Sequence, residues 1–217
     1  MSRSPHEEFE QNGRIWLRAA VPKNELSMLA DVFDAQKRPG RRIATEDLFE
    51  GSQWLARLNA IWPDHRPVRA VAFDKTGTNN WSLPWHQDRV IALAEKHAVP
   101  GYSNWTRKAG VWHAEPPLEV LKRMVFTRIH IDANTAENGA MEIATGSHHA
   151  GLVPTENALR VVDQCKTEVL EAQAGDIVAL SMLTIHRSRT TTSPGSRRVL
   201  RVDLSDVALP APLAWAS

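Results

Sequence analysis

The sequence has little cysteine, no long apolar run and no excess of charge of either sign. Its 217 residues hold one cysteine, Cys165. A lone thiol cannot close an internal disulfide, so a reducing compartment is expected, and with it a cytoplasmic location. No apolar stretch reads as a membrane span or a signal core, and the opening MSRSPHEEFEQNGR is polar and charged. Lys and Arg number 26 against 25 Asp and Glu, a net charge of +1, which argues against nucleic acid or a membrane surface as partner. Internal repeats and low-complexity runs are absent as well. What remains is a chain long enough to bury a substantial core as one domain over 1–217. Eight tryptophans are many for this length. Several fall in Pro-rich stretches where flat side chains often line a pocket, although most tryptophans pack in cores.

The first third, 1–66, reads as mainly helical support. Val21-Pro22 opens a segment with Leu26, Leu29, Ala30 and Phe33 at helical spacing, ending before the breakers Arg38-Pro39-Gly40. Ser52 is a candidate cap for a second helix carrying Leu55, Leu58 and Trp62. The stretch 67–205 reads as strands. PVRAVAF (67–73), RMVFTRIHI (123–131), AMEIA after the Asn138-Gly139 turn, IVALSML after Gly175-Asp176, TIHRS, and RVLRVDL (198–204) are short and β-branched or alternating. Between them, 97–117 has no clear period and is expected to be a long loop, a possible lid. Helices first and strands after predict a mainly β fold, a sandwich or barrel with helices packed outside.

The chemistry lies in histidines and carboxylates. A non-haem iron(II) oxygenase uses two histidines and one carboxylate on one face of the metal and leaves the other face open. His-x-Asp at strand spacing turns both side chains the same way, and two such pairs exist, His86-Gln87-Asp88 and His130-Ile131-Asp132. One pair alone decides nothing, since about one is expected by chance in a chain with this many histidines and acids. His130 ends a strongly alternating strand, which suits a sheet histidine. His86 follows the turn-rich, aromatic NNWSLPW, which suits a pocket mouth, and most of the strands lie between it and His186. His186 alone could be structural, but Arg197 lies eleven residues beyond it across a turn at Ser193-Pro194-Gly195. A guanidinium there could hold a dicarboxylate, with the Ser188 hydroxyl beside it; the plainer alternative is a solvated strand-edge charge. Lys75, Asn80, Trp81, Arg128 and Trp112 are candidates for a pocket wall, each with an ordinary packing or turn role as its alternative. An inward Arg128 would suggest an acidic group on the substrate.

Four segments in order, FDKTGTNNWSLPWHQD (73–88), RIHIDANTAENGAMEIATGSHHAG (128–151), GDIVAL (175–180) and HRSRTTTSPGSRR (186–198), resemble the phytanoyl-CoA dioxygenase family of iron(II)/2-oxoglutarate oxygenases. The resemblance implies that His86, Asp88 and His186 bind iron, that Arg197 binds the distal carboxylate of 2-oxoglutarate and that Ser188 assists. Trp105 is the nearest match to an aromatic residue that contacts the co-substrate. The segment with His130 and Asp132 would be a strand outside the metal site. The implied fold is a double-stranded β-helix, a jelly-roll or cupin-like barrel with outer helices. The implied reaction consumes O2, turns 2-oxoglutarate into succinate and CO2, and hydroxylates a substrate C–H bond; Asp88 favours that outcome over halogenation, for which a small residue would stand there. Thr145 precedes Gly146-Ser147-His148 where relatives often have proline, a departure expected to affect only a turn. Two competing readings are a cupin-like metal enzyme that does not use 2-oxoglutarate and a non-catalytic small-molecule-binding barrel. The first would show more histidine ligands and no need for Arg197; the intact triad with Ser188 and Arg197 argues against the second.

Overall fold

The computed structural model describes residues 3–33, 40–44, 49–193 and 195–216. Helix α1, Pro5–Asn12, is held at its start by a reciprocal capping box between Ser4 and Glu7 and ends on left-handed Gly13. Strand β1, Arg14–Leu17, helix α2, Lys23–Ala30, strand β2, Arg41–Ile43, and helix α3, Gln53–Asn59, complete the first third. Ser52 does precede α3, but its hydroxyl bonds to the Phe49 carbonyl; the Glu25 carboxylate of α2 takes the Gln53 N–H instead, at 2.9 Å. Arg38 and Pro39 of the expected helix stop lie outside the described residues.

Then come β3, Arg66–Lys75, β4, Leu83–His86, β5, Ile91–Leu93, β6, Ser103–Lys108, β7, Val111–Glu115, and α4, Leu118–Lys122. They are followed by β8, Met124–His130, β9, Met141–Thr145, α5, Ala158–Val162, β10, Lys166–Val169, β11, Ile177–Ser181, β12, His186–Ser188, and β13, Arg197–Ser205. The turn before β9 needs Gly139: its φ is +76°, and a Cβ there would meet the Arg189 carbonyl at 2.7 Å.

A six-stranded sheet runs β1-β11-β8-β13-β3-β2, a four-stranded sheet β10-β9-β12-β4 and a three-stranded sheet β5-β7-β6. Because side chains alternate along a strand, the six-stranded sheet has two different faces. One carries Ala70, Ala72, Ile129, Leu200 and Val202 against Leu29, Trp54, Leu58 and Trp62 from the helical third. The other carries Phe126, Val178 and Leu180 into a second core shared with Met141 and Ile143 of the four-stranded sheet. The space between these two sheets holds the polar residues described below.

The expected double-stranded β-helix barrel is not what forms. Among the described residues the fold is mixed α and β with three separate sheets, and no sheet closes on itself. The edges explain this. β1 and β2 come from the segment read as helical, take the two outer positions of the large sheet, and are only four and three residues long. Short edge strands expose few unpaired backbone groups and end a sheet rather than closing it. The aperiodic stretch 97–117 is also not a loop throughout. It contains the β6–β7 hairpin, turning at Ala109 and Gly110, both at positive φ. A register shift between Ser103 and Thr106, with Asn104 at φ 52°, breaks the alternation that would have revealed it.

Candidate metal centre

β4 and β12 are antiparallel neighbours, and His86 stands directly opposite His186. Their ring centroids are 4.5 Å apart, and Asp88 follows two residues beyond His86. One potential ligand atom from each of His86, Asp88 and His186 lies within 4.8 Å of the others. The Nδ1 atoms of His86 and His186 lie 2.7 and 2.9 Å from the carbonyls of Pro84 and Thr184. A carbonyl only accepts, so each Nδ1 carries the proton and each Nε2 offers its lone pair. That is the tautomer a metal needs. Gln87, between His86 and Asp88, is buried. Its amide donates to Gly151 and Leu183 carbonyls at 2.8 and 2.7 Å, and its oxygen accepts from Val153 N–H at 2.8 Å. Three bonds fix this side chain inward, which turns its two neighbours to the opposite side.

The carboxylate is held charged. Burial by itself pushes the Asp88 carboxyl up, but Arg201, His186, Arg69 and His86 together outweigh it and hold it well below the usual carboxylate range. Arg201 bonds Asp88 at 2.5 Å and Asp203 at 2.6 Å, and Asp203 takes Arg69 at 2.9 Å on its other oxygen. The chain Asp88–Arg201–Asp203–Arg69 is an alternation of charges, with Arg201 and Asp203 buried and Asp88 and Arg69 half-buried. Burial pushes His186 down to about 4, with Asp88 opposing and His86 adding to the shift. It is therefore neutral at physiological pH.

The register of β3, β13 and β8 puts cations on the same sheet face. Arg197 is opposite Lys75, Arg201 is opposite Val71 and Arg128, and Asp203 is opposite Arg69. Arg69, Arg128, Arg197 and Arg201 line a cavity of about 170 Å³ together with the triad, Trp81 and Ser188. Among the described residues, the Nε atoms of Arg128 and Arg197 are buried without a hydrogen-bond partner, and Arg197 bonds the Asn134 side-chain oxygen from Nη1, at 3.1 Å. Burial, then Arg197 and Arg201, lowers Arg128 well below its ordinary value, Asp88 opposing; burial lowers Arg197 to about 10. Buried cations with open donors call for an anion. The donor set thus fits a metal at one end of the cavity and a carboxylate at the other.

The family model described as phytanoyl-CoA dioxygenase matches residues 18–199. The chain belongs to this family. It is an iron(II)/2-oxoglutarate-dependent dioxygenase, with the His-Asp-His cluster of that family's active site. No curated protein sequence matches it. Among solved structures the dioxygenase is similar to AviO1 from Streptomyces viridochromogenes Tue57, at 17% identity over 96% of both chains and a TM-score of 0.62. HygX from Streptomyces hygroscopicus, with nickel and 2-oxoglutarate bound, is 18% identical over 94% of this chain and 87% of its own, TM-score 0.58. EctD from S. alaskensis is 16% identical over 94% and 77%, TM-score 0.61. At these identities the likeness is one of fold.

In the dioxygenase, Lys75 lies behind the cavity wall rather than on it. Its ammonium bonds to the Ser188 hydroxyl at 2.8 Å, to the Trp81 carbonyl at 2.9 Å and to the Arg189 carbonyl. Burial, with Arg197 and Arg128 adding, pushes it down to about 7. Asn80 is exposed and makes a reciprocal pair with the Thr191 backbone. Trp105 and Trp112 pack edge-to-face, 6.4 Å apart, on the three-stranded sheet, and neither lines the metal cavity. The second His-x-Asp is divided between two structural tasks. His130 is buried, 3.1 Å from the Asp176 carbonyl and stacked on Trp16, while Asp132 clamps Arg198 at 2.8 and 2.9 Å. Pro194 of the turn before Arg197 lies outside the described residues. The sequence reading missed Gln87, Arg69, Arg201 and Asp203. The signal available for the last three was charge at alternate positions in strands otherwise apolar enough to be core.

Proposed function

We propose that His86, Asp88 and His186 hold iron(II), that Arg197 receives the distal carboxylate of 2-oxoglutarate with help from Ser188, and that the enzyme hydroxylates a C–H bond of a small molecule, releasing succinate and CO2. The observation that carries this is one cavity with three metal-competent ligands at one end and buried, partner-poor arginines at the other. Iron(II), when bound with 2-oxoglutarate, supplies the activation of O2 that no side chain can perform. The chain's own residues prepare for it. Arg201 keeps Asp88 ionised and fixed, and the carbonyls of Pro84 and Thr184 orient the two imidazoles. Lys75 donates to Ser188, whose own proton makes only a long 3.5 Å contact with the Arg189 carbonyl and can turn from it to a carboxylate beside Arg197. Arg128, facing the same cavity, adds a second charge for that anion. We also propose that 1–217 works as one oxygenase domain, with the helical third supporting the large sheet.

Turnover tests this. Wild type supplied with iron(II), 2-oxoglutarate and O2 is expected to form succinate, and Arg197→Gln to raise the KM for 2-oxoglutarate about ten- to a hundredfold, the weight of a charge-assisted pair. No succinate from wild type, or an unchanged KM in the variant, contradicts the assignment.

A further inference from the structure

A second cavity, of about 630 Å³, shares Arg69 and Phe73 with the metal cavity. Small-molecule sites usually measure roughly 300–1,000 Å³. The metal cavity, at about 170 Å³, falls below that range and the second falls within it. The neighbour is therefore the larger space available to a substrate beside the metal end. Val71, Val90 and Val111 give it an apolar wall. Among the described residues its ionisable lining is Arg42, Arg69, Lys108 and His113, with no carboxylate. Arg69 is already paired with Asp203, and burial, followed by the Arg69 charge, lowers His113, the Val111 carbonyl opposing. The unbalanced cations are Arg42 and Lys108. Arg42 donates from Nη2 to the Ala216 carbonyl at 2.9 Å, but its Nη1 is buried without a partner among the described residues. Lys108 is exposed at the β6–β7 turn. Arg42 is half-buried, and its buried open nitrogen is costly unless an anion completes it.

We propose that this cavity is the substrate site, and that the substrate is an anion: an apolar body against Val71, Val90 and Val111, with a carboxylate or phosphate received by Arg42 and Lys108. The proposal rests on the metal-centre reading above, because it takes the smaller cavity as the co-substrate's. The hairpin β6–β7 then serves as one wall of the substrate site.

The test is calorimetric titration of metal-free protein with 4-phenylbutyrate, phenyl phosphate and the neutral 4-phenylbutanol. At least one anion is expected to bind saturably and about tenfold more tightly than the alcohol, and to weaken about tenfold in Arg42→Gln and in Lys108→Glu. The second substitution changes an exposed side chain and leaves folding intact. The tighter anion identifies the carboxylate or phosphate class. Equal binding of the alcohol, no saturable anion binding, wild-type affinity in both variants, or binding lost in Arg197→Gln in place of Arg42→Gln would each overturn the proposal. The iron(II)–2-oxoglutarate chelate of wild type, followed by its visible absorption, judges the metal-centre reading separately. A chelate without anion binding removes the present proposal alone; anion binding without a chelate removes the metal-centre reading.

Discussion

Gln87 shows how much of the site depends on a residue with no chemistry of its own. Spacing made His86 and Asp88 visible in the sequence, but a glutamine between them carries no signal that it will make three buried bonds. Gln87→Leu leaves the Val153 N–H and two carbonyls unsatisfied, so a loss of about 2–3 kcal/mol is expected in denaturant unfolding of the metal-free protein. Metal affinity should fall with it, and a variant as stable as wild type would contradict the role. The histidines give a pH signature. Burial, with Arg128 adding, pushes His130 down to about 3, and His186 sits at about 4. Both lie below the ordinary value of 6.5. Between those limits the unfolded chain binds protons that the folded chain refuses, so stability is lost as pH falls, by about 1.4 kcal/mol per pH unit for each such histidine. His130→Phe should flatten the stability profile of the metal-free protein by that amount between about pH 6 and pH 4. An unchanged slope would mean that His130 titrates normally.

At the scale of elements, the strands with unbroken alternation were legible: β3, β8 and β13 fall where PVRAVAF, RMVFTRIHI and RVLRVDL place them. Long period-2 runs leave little room for another structure. The three-residue β2 and β5 carry too few residues for any period to register, and the β6–β7 hairpin was hidden by its bulge. Arg69, Arg201 and Asp203 were legible as charges but not as a network, because only the register of β3 on β13 brings Arg69 opposite Asp203, two residues beyond Arg201. The hairpin turn also carries a local cost. Ala109 sits at φ 47° before Gly110 at φ 84°, a pair of positions that favours Asn-Gly. Ala109→Asn is expected to raise stability by about 0.5–1 kcal/mol, read as a higher thermal midpoint. A lower midpoint would show that the turn is not the strained left-handed one described.

For the whole molecule, the two larger sheets divide the work. The four-stranded sheet supplies His86 and His186, and the six-stranded sheet supplies the arginines that face them. Neither sheet holds a site alone, and the helical third stabilises the large sheet from its far side. The closed barrel expected from the sequence failed because closure depends on pairing between edges, which no periodicity encodes; here the outer strands are short and come from the N-terminal segment. No helix among the described residues is long and apolar enough to cross a membrane.

The central claim is that one cavity holds iron(II) by His86, Asp88 and His186 and 2-oxoglutarate by Arg197. The most direct measurement is an anaerobic titration of metal-free protein with iron(II) and 2-oxoglutarate, following the weak visible band of the chelate. His86→Ala, His130→Ala and Arg197→Ala are titrated beside wild type. The account predicts a band in wild type that is lost in His86→Ala, kept in His130→Ala, and formed only at higher 2-oxoglutarate in Arg197→Ala. No band in wild type, or a band that depends on His130 and not on His86, would contradict it.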